Sequence, residues 1–209
     1  MMAVSFSDEM LALLRASVKE RIDPARFEHT LGVEECATWL GDIFLPDRVS
    51  ELRAAAILHD ATKGLGIWEH LDLIEGCDKI NKHQGCPEQA LHSFSGAALV
   101  LRDYPEFATD DVFYAIMYHT LGDPSMNLFA EIIFLSDYIE RGRTYCDCVE
   151  VREVLKDSLA KANSNDDRLV CLHRAVIDTI DRTMRSVRDR GFVVDKRTVK
   201  TKKAISALI

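Results

Sequence analysis

The spacing of apolar residues is helical along almost the whole chain, and the alternation typical of β-strands is nearly absent. The first such pattern covers residues 7–21 and predicts an amphipathic helix. Met10, Leu13, Leu14 and Val18 are expected on its buried side. Because similar patterns follow one another to the C-terminus, the sequence predicts an all-α fold.

Capping residues and helix breakers divide this pattern into separate helices. Asp23 followed by Pro24 is typical of a helix start, and Ser164 begins a capping box. Glycines at 64 and 66 are expected to end the helix that reaches residue 60. The result is a predicted bundle of about eight to ten helices in a single domain, 1–209. The predicted helical segments are 7–21, a segment from 24, 46–60, 68–74, 90–102, 110–119, 128–141, 164–190 and a short one after 195.

An apolar run from Leu52 to Leu58 ends abruptly in His59 and Asp60. The run is expected to enter the core, so it would carry an imidazole and a carboxylate with it. A buried charge costs several kcal/mol or more unless it is paired or bound to a metal. These two residues are therefore candidate metal ligands.

Four further polar residues interrupt apolar helix faces or ends: His29, His92, His119 and Asp137. Taken singly, such a histidine is usually hydrogen-bonded in the core, and such an aspartate usually caps a helix or pairs with an arginine. Six inward ionisable groups without a shared partner would be costly, however. A divalent metal is the obvious shared partner, and imidazole with carboxylate suits iron, manganese or zinc.

The composition restricts the classes of ligand and compartment. The 209 residues carry a formal net charge of −8, which argues against nucleic acid as a partner. An anionic ligand would need a local positive site or a metal ion. No apolar run predicts a membrane span and the N-terminus does not resemble a signal peptide, so a cytoplasmic location is expected. The six cysteines are expected to be reduced and structural; the segment 76–87, with Cys77 and Cys86, has no assigned role.

The order His29, His59-Asp60, Asp137 resembles the H…HD…D signature of HD-domain metal-dependent phosphohydrolases. The surrounding stretches RFEHTLGVEECA, LHDATKG, ALHSFSGAALV and AIMYHTLGDPSMNLFAEIIFLSDYIERGR are similar to the YqeK family of these enzymes. The similarity extends from about residue 13 to residue 204. Members of that family hydrolyse symmetrical dinucleoside tetraphosphates to two nucleoside diphosphates.

The resemblance implies an HD-domain bundle with its metal-binding core at about 22–145 and C-terminal helices 146–209 packed on it. It implies one or two metal ions, iron first, with manganese, cobalt or zinc as alternatives, and a nucleotide substrate; it leaves a homodimer open. The implied metal ligands are His29, His59, Asp60 and Asp137. The implied catalytic residues are Asp60, Lys63, His92 and His119. The implied substrate-binding residues are Arg26, Thr30, Lys63, His92, His119 and Thr120.

Several alternatives stay open at this stage. Ser93 and Leu121 depart from the family pattern near the substrate pocket, so an HD-type phosphohydrolase for another nucleotide or phosphoester remains an alternative. A non-catalytic nucleotide-binding regulator is the other. The spacing of Lys63 from Asp60 fits either a phosphate contact or an exposed ion pair on one helix face. Arg141 and Arg143, which follow the helix of Asp137, could cap its carbonyl end or contact the substrate, and capping is favoured.

Overall fold

The computed structural model describes residues 5–80 and 85–209, and these ranges contain ten α-helices and no β-strand. The first five are α1 (Asp8–Lys19), α2 (Pro24–Phe44), α3 (Val49–Leu58), α4 (Ile67–Glu75) and α5 (Leu91–Asp103). The next five are α6 (Asp110–Tyr118), α7 (Leu128–Ile139), α8 (Cys146–Lys161), α9 (Asn165–Asp189) and α10 (Lys196–Ser206). The predicted all-α fold is therefore confirmed. None of the described helices is long and apolar enough to cross a membrane.

The helix starts follow the capping chemistry of the sequence. The side chains of Ser7, Asp23 and Ser164 each accept a hydrogen bond from a backbone N–H in the first turn of α1, α2 and α9. The predicted buried face of α1 was partly wrong, because Leu13 is 67% exposed and Leu11 is fully buried. A shift of two positions turns a side chain by about 200° around a helix, so Leu13 lies on the outer face.

Helix α3 runs through the middle of the core. Every residue from Ala54 to Leu58 is fully buried, because α1, α2, α6 and α7 surround this helix. Three consecutive alanines, 54–56, let the neighbouring helices approach closely. Because α3 is buried on all sides, the residues directly after it also lie in the interior. These residues are His59 and Asp60.

The helix before these residues ends earlier than predicted. α3 stops at Leu58, and residues 59–64 form tight turns, with Lys63 N donating to Asp60 O at 3.0 Å. Asp60 and Lys63 therefore do not share a helix face. In a turn, the consecutive side chains of His59 and Asp60 can point in directions that a continuous helix would not allow.

The last three helices form a layer against the earlier ones. α8 packs on α9, α9 contacts α7 and α10 packs on α9. No separate helix was predicted at α8 from the residue pattern, and only Cys148, Val151 and Leu155 of that helix are buried. All six cysteines are free thiols. Residues 81–84 of the unassigned segment 76–87 lie outside the described residues.

A buried contact between a carboxyl group and an imidazole joins α7 to α9. Glu131 is 1% exposed, and His173 Nδ1 lies 2.8 Å from its Oε2. Burial raises the pKa of Glu131 above its ordinary 4.5, although His173 acts in the opposite direction. The folded state therefore binds this proton more tightly than the unfolded chain does. Its contribution to stability is present below about pH 4.5 and is lost as the pH rises through the folded-state pKa.

Glu131→Gln should remove this pH-dependent contribution. Relative to the parent protein, the free energy of unfolding of the variant should rise between about pH 4.5 and pH 7. Urea denaturation at both pH values measures the difference, and Glu153→Gln on the exposed surface of α8 is the matched control. A difference that stays constant or falls with pH would contradict the expectation.

Candidate metal centre

Three parts of the chain bring the first group of donor atoms together. His29 comes from α2, His59 from the turn after α3 and Asp137 from α7. His29 Nε2 lies 2.9 Å from Asp137 Oδ1, and His59 Nε2 lies 3.9 Å from the same oxygen. One donor atom of each residue lies within 4.8 Å of the others. We call His29, His59 and Asp137 the first triad.

A second group lies directly beside the first. Asp60, His92 on α5 and His119 after α6 also place one donor atom each within 4.8 Å of the others. His92 Nε2 is 3.0 Å from His119 Nε2 and 3.3 Å from Asp60 Oδ1. All three residues are buried. We call Asp60, His92 and His119 the second triad.

Asp60 stands between the two triads. Its Oδ2 lies 3.8 Å from His59 Nε2, whereas its Oδ1 faces His92 and His119. The imidazoles themselves form a continuous row, with His59 and His119 ring centroids 5.1 Å apart. All four expected metal ligands are thus near one another, but by distance Asp60 groups with His92 and His119.

The histidines are oriented from behind, as ligands of a metal are. His59 Nδ1 lies 2.6 Å from the carbonyl oxygen of Ala56, and His119 Nδ1 lies 2.7 Å from that of Ile116. A carbonyl accepts only, so each Nδ1 carries a hydrogen and each Nε2 is directed toward the centre. A divalent cation binds a histidine held in this way through Nε2.

Two buried polar atoms at this centre lack a hydrogen-bond partner among the described residues: His59 Nε2 and Asp60 Oδ1. Buried polar atoms are seldom left without a partner. Burial also lowers the pKa of His59 to about 4 and holds that of His92 well below its ordinary value. Both imidazoles are therefore neutral near pH 7. Neutral imidazoles, with an unused lone pair on His59 Nε2, are compatible with a divalent metal.

The two carboxylates are ionised. Burial by itself would raise the pKa of Asp60, but His59, His119 and Lys63 outweigh it and hold that pKa well below its usual value. Burial would likewise raise the pKa of Asp137, and the hydrogen bond from His29 outweighs it, so that pKa is also lowered. Two carboxylates and four imidazoles form an oxygen and nitrogen donor set without thiolate.

Cationic side chains line the outer edge of the cluster. Arg26 Nη1 lies 3.0 Å from Asp60 Oδ2, and Lys63 Nζ lies 2.7 Å from His92 Nε2. These two side chains are 31% and 33% exposed, so each reaches both the buried centre and solvent. They provide a local positive site in a chain of net charge −8.

The two threonines of the predicted pocket differ in position. Thr120 Oγ1 lies 3.0 Å from His92 Nε2, which places this hydroxyl at the second triad. Thr30 is fully buried, and its hydroxyl has no hydrogen-bond partner within the described part of the chain. The structure brings the Thr120 hydroxyl to the cluster, whereas that of Thr30 makes no hydrogen bond to the described residues of the cluster.

Comparison with known proteins identifies the family. Residues 26–142 match the HD domain. The chain is 35% identical over 144 residues to the symmetrical bis(5'-nucleosyl)-tetraphosphatase of Halalkalibacterium halodurans, covering 68% of this chain and 75% of that one. It is 34% identical to the enzyme of the same name from Bacillus subtilis over 70% of this chain and 78% of that one. This chain belongs to the YqeK family of HD-domain hydrolases.

The fold of this HD-domain hydrolase has a solved counterpart. A predicted HD superfamily hydrolase involved in NAD metabolism from Clostridium acetobutylicum superimposes with a TM-score of 0.78. The alignment covers 98% of this chain and 99% of the other at 23% sequence identity. The C-terminal helices are therefore part of the shared architecture, although the HD match ends at residue 142.

Glu140 and Gly32, near the first triad of this HD-domain protein, were not predicted as site residues from the sequence. Glu140 is 2% exposed, and its Oε1 lies 3.2 Å from His29 Nδ1. Its Oε2 accepts a hydrogen bond from the Gly142 backbone and packs against Gly32, where a Cβ would overlap it. Glu140 therefore orients His29 from behind, and the glycine at position 32 provides the room for its carboxylate.

Arg143 has a larger role than the predicted cap. Its Nε donates to the carbonyl oxygen of Asp137 at 3.2 Å, which is the expected capping contact. Its Nη2 also lies 3.0 Å from Asp137 Oδ1 and 3.4 Å from His29 Nε2. With 37% of its side chain exposed, Arg143 adds a third cation to the rim formed by Arg26 and Lys63.

Proposed function

We propose that this protein hydrolyses symmetrical dinucleoside tetraphosphates, such as diadenosine tetraphosphate, to two nucleoside diphosphates. The observation that carries the proposal is the position of Asp60 between two donor triads, below a rim of cationic side chains. A polyphosphate needs both parts: metal ligands for its reacting phosphoryl group and cations for its remaining charge. The names of the curated relatives support the same substrate class.

We further propose that His29, His59 and Asp137 hold one divalent ion, with Asp60, His92 and His119 offering a place for a second. Asp60 presents one oxygen toward each group, which favours two ions over one. Mixed imidazole and carboxylate donors suit iron, with manganese, cobalt or zinc as alternatives. When bound, such an ion lowers the pKa of a coordinated water to about 7 and withdraws charge from phosphoryl oxygens.

The chain's own residues bind and orient the substrate. Arg26 and Lys63 contact Asp60 and retain exposed ends, so they can pair with phosphate oxygens on either side of the reacting group. Because its pKa is low, Asp60 stays a carboxylate that orients the attacking water by accepting a hydrogen bond. Thr120 can donate its hydroxyl hydrogen to a phosphate oxygen.

The bonds that change are those of a simple hydrolysis. The water oxygen forms a bond to one central phosphorus and loses one proton, which is released to solvent, and the bond from that phosphorus to the central bridging oxygen breaks. The bridging oxygen leaves with the other nucleoside diphosphate, and its new charge is neutralised by the cationic rim. Lys63, whose Nζ lies 2.7 Å from His92 Nε2 of the second triad, is the best candidate for this role.

The direct test is product analysis by anion exchange with diadenosine tetraphosphate in H₂¹⁸O. ADP should be the sole product, and half of it should carry one ¹⁸O in its terminal phosphate. Removal of metal by a chelator should abolish turnover, and re-addition of iron(II) without oxygen should restore it, with manganese, cobalt and zinc compared in parallel.

Other outcomes would overturn the proposal. AMP together with ATP would show asymmetric cleavage, and activity that resists the chelator would exclude the metal mechanism. Absence of turnover with each of the four metals would overturn the assignment of this substrate. ATP and ADP as substrates provide the control, since neither contains the central bridge between two nucleoside diphosphates.

A further inference from the structure

Two arginine side chains bind the carbonyl groups at the end of α7. The last four carbonyls of an α-helix have no donor within the helix, and Glu140, where the backbone turns away, is the C-cap of α7. The carbonyl oxygen of Asp137 accepts a hydrogen bond from Arg143 Nε at 3.2 Å. Those of Ile139 and Glu140 accept from Arg152 Nη1 at 2.9 Å and 2.7 Å. Arg152 therefore supplies donors that α7 itself lacks.

Arg152 reaches this turn from the second turn of α8. Its Nη1 also lies 3.4 Å from the carbonyl oxygen of Arg143, so all three of these contacts are to the backbone of residues 139–143. The side chain is 16% exposed, and its Nε lies 3.7 Å from Glu153 Oε1. The guanidinium thus binds the backbone of the turn more closely than it binds this carboxylate.

The same turn carries two side chains that contact the first triad. Glu140 Oε1 lies 3.2 Å from His29 Nδ1, and Arg143 Nη2 lies 3.0 Å from Asp137 Oδ1. Arg152 contacts the backbone carbonyls of both Glu140 and Arg143. Because a side chain is held only as firmly as the backbone that carries it, a shift of this turn would move both groups relative to the metal ligands.

The surroundings of Glu140 leave its carboxylate little freedom to compensate for such a shift. The Glu140 side chain is 3% exposed, and its Oε2 accepts a hydrogen bond from the Gly142 backbone within the turn. Gly32 of α2 packs against the same carboxylate, where an added Cβ would overlap it. Arg152 would act as an ordinary helix cap if the turn carried nothing else. Here the turn carries the group that orients His29.

We propose that Arg152 is a positioning residue of the metal centre. Through the carbonyls of Glu140 and Arg143 it fixes the turn that orients His29 and places a cation on Asp137. The inference rests on the metal site of the proposed function, and it does not depend on which phosphate compound is cleaved. The HD match ends at residue 142, so the proposal extends the centre to a helix beyond that match.

Competition of the apoprotein with a chromophoric chelator for zinc(II) tests the proposal. Arg152→Met removes the donors and should weaken zinc binding about tenfold, at the lower end of the usual 10–100-fold effect, because Arg152 acts one step behind the group that orients His29. Arg152→Lys keeps a cationic donor and should recover part of the affinity. Lys156→Met, which removes an exposed cation on the same helix, is the matched control and should bind zinc like the parent protein.

A second pair of variants separates positioning from loss of stability. Val151→Ala, at a residue of α8 that is 1% exposed, removes core packing without removing a donor to the turn. It should lower the thermal unfolding temperature and leave the zinc affinity unchanged. The same behaviour in Arg152→Met would show a purely structural role and overturn the proposal. Arg152→Met added to Glu140→Ala should cause little further loss of affinity, whereas fully additive losses would overturn the route through Glu140.

These outcomes are distinguishable from those for the proposed function, because zinc affinity is measured without substrate. Weaker zinc binding by Arg152→Met in a protein that does not cleave diadenosine tetraphosphate would retain the positioning role and overturn the proposed reaction. Cleavage of this substrate with unchanged zinc affinity in Arg152→Met would have the opposite meaning. Absence of zinc binding by the parent protein would overturn the positioning role.

Discussion

Asp60→Asn is expected to lower kcat for the proposed substrate by about 10³-fold or more, with little change in the stability of the fold. The carboxylate is ionised and presents one oxygen to each triad, 3.8 Å from His59 Nε2 and 3.3 Å from His92 Nε2. Asparagine keeps the shape but removes the negative charge and replaces one oxygen by a donor group. The asparagine therefore cannot present an anionic oxygen to both triads.

Steady-state kinetics, metal content and thermal unfolding of the same preparation check this expectation. Kinetics should show the loss in kcat, and metal analysis should show fewer bound ions per chain. Asp72→Asn, on the exposed surface of α4, is the matched control and should behave like the parent protein. Near-normal kcat with full metal content in Asp60→Asn would refute the proposed role of Asp60 as a ligand shared by the two triads.

Glu140→Ala is expected to weaken metal binding about 10–100-fold, the usual effect of removing a group that orients a metal-binding histidine. Without the carboxylate, His29 Nδ1 loses its partner at 3.2 Å and the ring is no longer held toward Asp137. Glu140→Gln keeps an acceptor oxygen at the same place, so it should restore part of the affinity. Gly32→Ala should resemble Glu140→Ala, because the added methyl group displaces the same carboxylate.

Competition of the apoprotein with a chromophoric chelator measures these affinities. Glu35→Gln, which removes an exposed ion pair with Arg141, provides the control on the same helix as Gly32. A purely structural role for Glu140 would lower the unfolding temperature of all three variants without changing metal affinity. Equal losses in Glu140→Gln and Glu140→Ala would instead show that the charge matters more than the acceptor oxygen.

Local signals were sufficient for the core polar residues and for the helices other than α8. Ser7, Asp23 and Ser164 accept hydrogen bonds from backbone N–H groups only three residues away. Their role as N-caps can therefore be predicted from the local sequence. His59 and Asp60 stand out because they end an apolar run, which is also a local pattern. The exposed Leu13 shows the limit of such patterns, since periodicity alone does not say which of two adjacent faces meets the core.

Glu140 could not be found in this way. It lies in a polar stretch after α7, and its role depends on His29, 111 positions earlier in the chain. Arg143 likewise reads as a helix cap, and only its contact with the Asp137 carboxylate places it at the cluster. Neither residue interrupts an apolar face, so neither produces a signal that a periodicity argument detects.

The sequence by itself determined the helical class, the capped helix starts and the polar residues that enter the core, because each follows from neighbours within about one helical turn. Tertiary structure alone decided that the donor atoms form two groups, that Asp60 stands between them and that Arg143 joins the cationic rim. These features are distances between side chains from different helices, and such distances exist only once the helices have packed.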